Sequence, residues 1–165
     1  MKKSVLPAVV AGMVFAGIAA GPAAAEERSC RGSIGAVTVD NLRVPQGATC
    51  TLNGTRVKGT LKVEQGATLH ASRIHVVGNV QAENHKQVNL SGSAVGVSIQ
   101  VKQGGGSSLS TNTVKGDVQY FTNRGTITIR SNRIDGNLQC KENQPAPTGA
   151  GNVVQGNKED QCRRL

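Results

Sequence analysis

A short pattern returns along this chain at an almost constant interval. It is a β-branched residue, one or two residues that include glycine, a small polar residue and an aliphatic one. The copies are Val57-Lys58-Gly59-Thr60-Leu61, Val76-Val77-Gly78-Asn79-Val80, Val95-Gly96-Val97-Ser98-Ile99, Val114-Lys115-Gly116-Asp117-Val118 and Ile134-Asp135-Gly136-Asn137-Leu138, with a degraded Val154-Gln155-Gly156-Asn157 at the end. The steps between them are 19, 19, 19, 20 and 20 residues. A second series, Gln46, Gln65, Asn84, Gln103, Asn123 and Asn143, keeps the same steps. A unit this short cannot bury an apolar side alone, so successive units must stack on one another.

Inside each unit the apolar period is two. Leu61/Val63, Val80/Ala82, Ile99/Val101, Val118/Tyr120 and Leu138/Cys140 point one way, with Lys62, Gln81, Gln100, Gln119 and Gln139 between them pointing the other. A second alternating stretch runs through Cys50/Leu52, Leu69/Ala71, Val88/Leu90, Leu109 and Ile127/Ile129. Turn residues separate the stretches, and no helical spacing survives after residue 25. These features predict an all-β, single-domain parallel β-helix of about six coils, a rod about 30 Å long at the usual strand spacing. The chain has 165 residues, 37% apolar but only 2% aromatic, with no Trp. A narrow interior of aligned Val, Ile and Leu fits that composition, since indole rings would not fit between coils.

From Gly35 to Cys162 the chain resembles small secreted bacterial right-handed parallel β-helix repeat proteins. The resemblance rests on the repeated Asn-x-Val/Ile-x-Gly-Asn/Asp-aliphatic-Gln motif, in which Asn112, Asn132 and Asn152 hold one position of the last three coils. Right-handedness is implied by the resemblance and not by the periodicity. β-Helix proteins include polysaccharide-degrading enzymes, adhesins and structural spikes, so the motif specifies architecture and says little about chemistry.

Residues 1–25 read as a secretory signal peptide: Lys2 and Lys3, an apolar run from Val5 to Ala20, and the small-residue site Ala23-Ala24-Ala25 before Glu26. The apolar run is short of the roughly 20 residues that span a bilayer, so no membrane span is expected once the leader is cleaved after Ala25. The formal charge is +9, from 19 Lys and Arg against 10 Asp and Glu; removal of Lys2 and Lys3 leaves 17 against 10, or +7. Residues 26–34 are then an N-terminal segment, and 35–165 the β-helix with a C-terminal loop and cap. Export places the chain in an extracytoplasmic or secreted setting.

Four cysteines in an exported chain allow two disulfides in three connectivities. Cys50 stands one unit before Leu69, whereas Cys140 lies beside Tyr120 several units away, too far for the Cα separation of about 7 Å that a disulfide tolerates. Cys30 precedes Cys50 by 20 residues and Cys162 follows Cys140 by 22, each close to one turn. The expected pairs are therefore Cys30–Cys50 and Cys140–Cys162, one at each end of the stack. Metal binding by these thiols lacks any C-x-x-C spacing, and no metal or other cofactor is expected.

A catalytic site needs convergent titratable groups. His70, His75 and His85 fall in three different rows and read as surface residues, with His85 taking the turn position of Gly66. Glu64 and Glu83 stack on neighbouring units as a carboxylate pair, but Lys102 follows them in a ladder of mixed charge. Nucleophile elbows, phosphate loops and H-E-x-x-H are missing. Two outward stripes are better candidates. One is Lys62, Gln81, Gln100, Gln119 and Gln139; the other holds Arg56, His75, Thr113 and Arg133, with Lys58 and Lys115 close by. Flat basic and amide ladders suit an anionic or carbohydrate polymer. Nucleic acid is disfavoured by export and by the scarcity of stacking aromatics beyond Tyr120 and Phe121, and ice by the single Thr126-Ile127-Thr128. The expectation is a non-catalytic structural or interaction module at the cell envelope or outside the cell; the alternative is a polysaccharide-active lyase or hydrolase.

Overall fold

Alternating apolar residues repeated at a fixed step force each strand to pair with the strand one unit on, in parallel and in register. The computed structural model describes residues 26–165 and shows this arrangement. Three parallel sheets run along the rod. The first has eight strands, from Glu27–Ser29 to Lys158–Asp160; the second has seven, from Gly32–Ile34 to Thr148–Ala150; the third has seven two-residue strands, from Thr38–Val39 to Val153–Val154. The chain thus completes seven turns of a parallel β-solenoid, and among the described residues there is no helix. Residues 1–25, where the leader is expected, lie outside the described residues.

The stack has seven turns where the repeats predict six, because the segment 26–34 belongs to it. Glu27–Ser29 pairs with Asn41–Arg43 of the next turn, and Gly32–Ile34 pairs with Cys50–Leu52. Glu27 lies opposite Asn41 and Gly32 opposite Cys50, so the first turn is shorter than those that follow. It also has no copy of the glycine landmark, which hides it from a search for repeats. Further along, the step lengthens by one residue at a single corner. Val101 faces Tyr120 on the shorter step, while Ser107 faces Ile127 on the longer one. The extra residue sits in the turn between Phe121 and Ile127.

Rows of aligned side chains fill the interior. Leu42, Leu61, Val80, Ile99, Val118 and Leu138 form one, all fully buried. Val57, Val76, Val95, Val114 and Ile134 form the row of the third sheet. Burial of one such side chain is worth about 1.5–3 kcal/mol. Tyr120 is the one large exception, fully buried with its hydroxyl 2.9 Å from Ser107 Oγ. Ser107 stands in a row otherwise made of Cys50, Leu69, Val88 and Ile127. Its small size makes room for the ring, and its hydroxyl supplies the partner that a buried phenol requires. Burial raises the Tyr120 pKa to about 12.

Two asparagine ladders hold the corners of the C-terminal half. Asn132 Nδ2 donates to Leu109 O at 3.0 Å and to Asn152 Oδ1 at 2.9 Å, and its Oδ1 accepts from both Asn112 N and Asn112 Nδ2 at 3.0 Å. Asn123 and Asn143 repeat the scheme at the corner between the first and second sheets, ending on Gln161. The residues just before these asparagines, Thr111, Thr122, Ser131 and Glu142, all have positive φ. That backbone region costs an L residue about 1–2 kcal/mol, and the three side-chain hydrogen bonds of Asn112 and of Asn123, and the four of Asn132 and of Asn143, offset it. The N-terminal half uses Thr55 and Ser93 at the equivalent corner instead.

Disulfides close both ends. Cys30–Cys50 and Cys140–Cys162 have Cα separations of 5.6 and 5.2 Å, well inside the range such bonds accept. Their presence is consistent with an extracytoplasmic protein. At the C-terminal end, Cys162 and Leu165 fold under the last turn and are buried.

Candidate binding surface

Outward residues of the first sheet follow directly from the strand register. Arg43, Lys62, Gln81, Gln100, Gln119, Gln139 and Glu159 lie opposite one another in sequence, one per turn. The structure therefore brings together the expected Lys62–Gln139 stripe and continues it by one residue at each end. Its members are not equivalent. Gln119 Nε2 donates to Gln139 Oε1 at 2.9 Å, and Gln139 Nε2 to Glu159 Oε2 at 2.9 Å. At the other end Arg43 is held by Glu27 at 3.2 Å and Glu64 at 3.4 Å. Lys62, Gln81 and Gln100, between these occupied ends, have no side-chain hydrogen bond or ion pair among the described residues. They line a shallow groove of about 470 Å³ with Glu64, Glu83 and Lys102.

The second expected stripe lies on the third sheet, a different face of the rod. Arg56, His75, Ala94, Thr113 and Arg133 follow one another there, so Ala94 interrupts it. Lys58 Nζ is 2.9 Å from Asp40 Oδ1, and Lys115 Nζ is 3.0 Å from Asp135 Oδ2; Arg133 also approaches Asp135, at 3.5 Å. Lys58 holds the Asp40 carboxyl below its ordinary pKa by hydrogen bonding and by charge. Three of the four basic residues picked out on this face are thus already matched by acids, and Arg56 is the one without a partner among the described residues.

Glu64 and Glu83 are neighbours along the groove, as the repeat requires. Glu64 is engaged by Arg43 and also accepts a hydrogen bond from Gln46 N at 3.0 Å. Among the described residues no group of three His, Cys, Asp or Glu side chains is placed to hold a metal ion. No helix among them is long and apolar enough to cross a membrane.

His85 departs from the surface position expected for it. It is 2% exposed, and neither ring nitrogen has a hydrogen-bond partner. The positive-φ residue of this corner is Gly66 in one turn and Asn84 in the next, one residue short of the usual step. The residue after it faces inward, so His85 occupies the place of Ala67 and Asn123, not that of Gly66. Burial pushes its pKa down to about 4; the backbone of Gly106 opposes the shift without making a well-formed hydrogen bond. One turn later come Gly104, Gly105 and Gly106. A Cβ on Gly104 would strike the His85 ring, one on Gly105 the carbonyl of Lys86, and one on Gly106 the Gln87 side chain. Gly104 is the sequence signal of this buried histidine.

Beside the amide stripe, the mixed-charge ladder of Glu83 and Lys102 continues through Phe121 and Lys141, two members that the sequence reading does not single out. Glu83, Lys102, Phe121 and Lys141 lie opposite one another on successive strands, and the Lys102 ammonium is 5.8 Å from the centre of the Phe121 ring.

Comparison with family models, with curated proteins and with solved structures gave no match.

Proposed function

We propose that this protein is an exported, extracytoplasmic interaction module of bacterial type, whose signal peptide is removed after Ala25. Its first sheet binds an extended anionic or carbohydrate polymer without catalysing a reaction. The observation behind this reading is the uncommitted run Lys62, Gln81 and Gln100 along the groove of the first sheet. Amide and ammonium donors repeated at about 4.8 Å match a ligand that repeats its own acceptors along an axis. The flat, rigid β-sheet means that little conformational entropy is lost on its side of the contact.

The test is binding of acidic and neutral polysaccharides to the mature protein across a salt series. Affinity should fall as salt rises, because exposed charges are screened beyond about 10 Å at 0.1 M. The combined Lys62→Gln, Gln81→Ala, Gln100→Ala variant should weaken binding at least tenfold with little change in melting temperature. Arg56→Gln, on the third sheet, should leave it unchanged. Equal affinity of the triple variant and the parent would refute the assignment. A second reading, cleavage of a polysaccharide, draws on Glu64 and Glu83 sharing the same groove; release of new reducing ends or unsaturated products, abolished in Glu83→Gln, would favour it.

A further inference from the structure

Phe121 is an unusual residue for this chain. There are two Phe, one Tyr and no Trp in the whole sequence. Phe15 belongs to the expected leader and Tyr120 is sealed in the core, so Phe121 is the only Phe, Tyr or Trp side chain on the surface among the described residues. It sits at an outward strand position, half-buried between its neighbours, and adds nothing to the aliphatic interior. Lys102 and Lys141 flank it on the strands before and after, in direct register. Neither lysine forms an ion pair among the described residues, although Glu83 lies opposite Lys102. Two positions along the same strand is Gln119, and beside that Gln100 and Gln139.

We infer that Phe121, Lys102 and Lys141 form a stacking subsite for a pyranose ring that carries an acidic group. Lys102 Nζ lies over one face of the Phe121 ring, 5.8 Å from its centre, and the sugar packs its weakly positive axial C–H groups against the electron-rich ring surface left exposed beside it. Lysines on both sides supply the counter-charge for a carboxylate or sulfate on the stacked residue or its neighbour. Gln100, which has no side-chain partner among the described residues, and the Oε1 of Gln119 offer a donor and acceptors to hydroxyl groups. Net charge supports an acidic ligand, since the row from Glu83 to Lys141 carries three charged groups, two of them positive. A single-stranded nucleic acid fits less well: it needs an aromatic platform for successive bases, and here Phe121 stands alone. This inference rests on the polymer-binding reading above and assigns its ligand class.

The test uses the mature protein with three probes: oligogalacturonate as a carboxylated pyranose chain, a neutral galacto-oligosaccharide, and oligo(dT). Affinities come from calorimetry at low and moderate salt, with ring-proton NMR of Phe121 as a second readout. Wild type should prefer the acidic sugar to the neutral one and to oligo(dT). Phe121→Ala should lose at least tenfold in affinity at both salt levels, and Phe121→Tyr should retain binding. The Lys102→Gln, Lys141→Gln pair should weaken binding and flatten its salt dependence. If the acidic chain binds wild type and Phe121→Ala equally, yet fails on the Lys62, Gln81 and Gln100 variant, the subsite is wrong and the broader reading stands. Tighter binding of oligo(dT) overturns the ligand class, and absence of binding to either sugar at low salt overturns both readings.

Discussion

Acid should weaken this fold through one residue. In the unfolded chain the His85 imidazole takes up a proton below its ordinary pKa of 6.5, whereas in the folded state it stays neutral down to about 4. Between those values the unfolded state binds one more proton than the folded state, so stability drops as the pH falls through that window and levels off below it. The gap from 6.5 to about 4, at about 1.4 kcal/mol per unit, predicts a loss of about 3 kcal/mol attributable to His85. His85→Ala, matching Ala67 in the same row, removes the titration. It also leaves a small void, which lowers stability by a similar amount at every pH and cancels when two pH values are compared. Urea unfolding followed by far-ultraviolet circular dichroism should show a steep decline in the wild type between about pH 7 and pH 4 and a shallower one in the variant. Every other group is the same in both proteins and drops out of the difference. If the two profiles run parallel, or if imidazole NMR shows His85 protonating near 6.5 in the folded protein, the burial argument fails.

Asn132→Leu should cost about 2–6 kcal/mol in urea unfolding, since it takes away the side-chain partner of the buried Asn112 N–H and of the Leu109 carbonyl, at about 1–3 kcal/mol each; Gln100→Leu, outside, should change stability by under about 0.5 kcal/mol. Val118→Asp places an unpaired charge in the fully buried row and should abolish the cooperative transition at neutral pH. Replacing Cys30 and Cys50 together by Ser removes a clamp closing 20 residues, worth about 3 kcal/mol in the chain-entropy model. Hydrogen exchange should then rise first in the strands Glu27–Ser29 and Gly32–Ile34, while Val80 and Ile99 stay protected. Uniform loss of protection along the rod would contradict this.

The interior rows are legible in the sequence because a period of two, repeated at a fixed step, leaves one register for Leu61, Val80, Ile99 and Val118. The cysteine pairs follow from the same register. The first turn is not legible, because the pairings of Glu27 with Asn41 and of Gly32 with Cys50 are too closely spaced to fit the count. His85 escapes for a related reason: the positive-φ residue moves from Gly66 to Asn84, and a constant step passes over the change. Of the surface, the row Lys62 to Gln139 can be read, but not which members are already occupied. Asp40 and Lys58 lie 18 residues apart and Asp135 lies 20 after Lys115, so counting one turn exposes both pairs. Phe121 is legible only as an aromatic, and its significance comes from the lysines that the register sets beside it.

The two disulfides each join adjacent turns and neither spans the rod. No covalent link therefore fixes how many turns lie between them. Excising residues 80–98 would splice Asn79 onto Ile99 and set Leu61 against Ile99, reproducing the alignment that Leu61 now makes with Val80. Duplicating the same stretch would add a turn in the same way. Length in this molecule is accordingly quantised, changing in steps of about 4.8 Å per turn. The reach of its amide row is set by counting units, as marks are counted on a ruler.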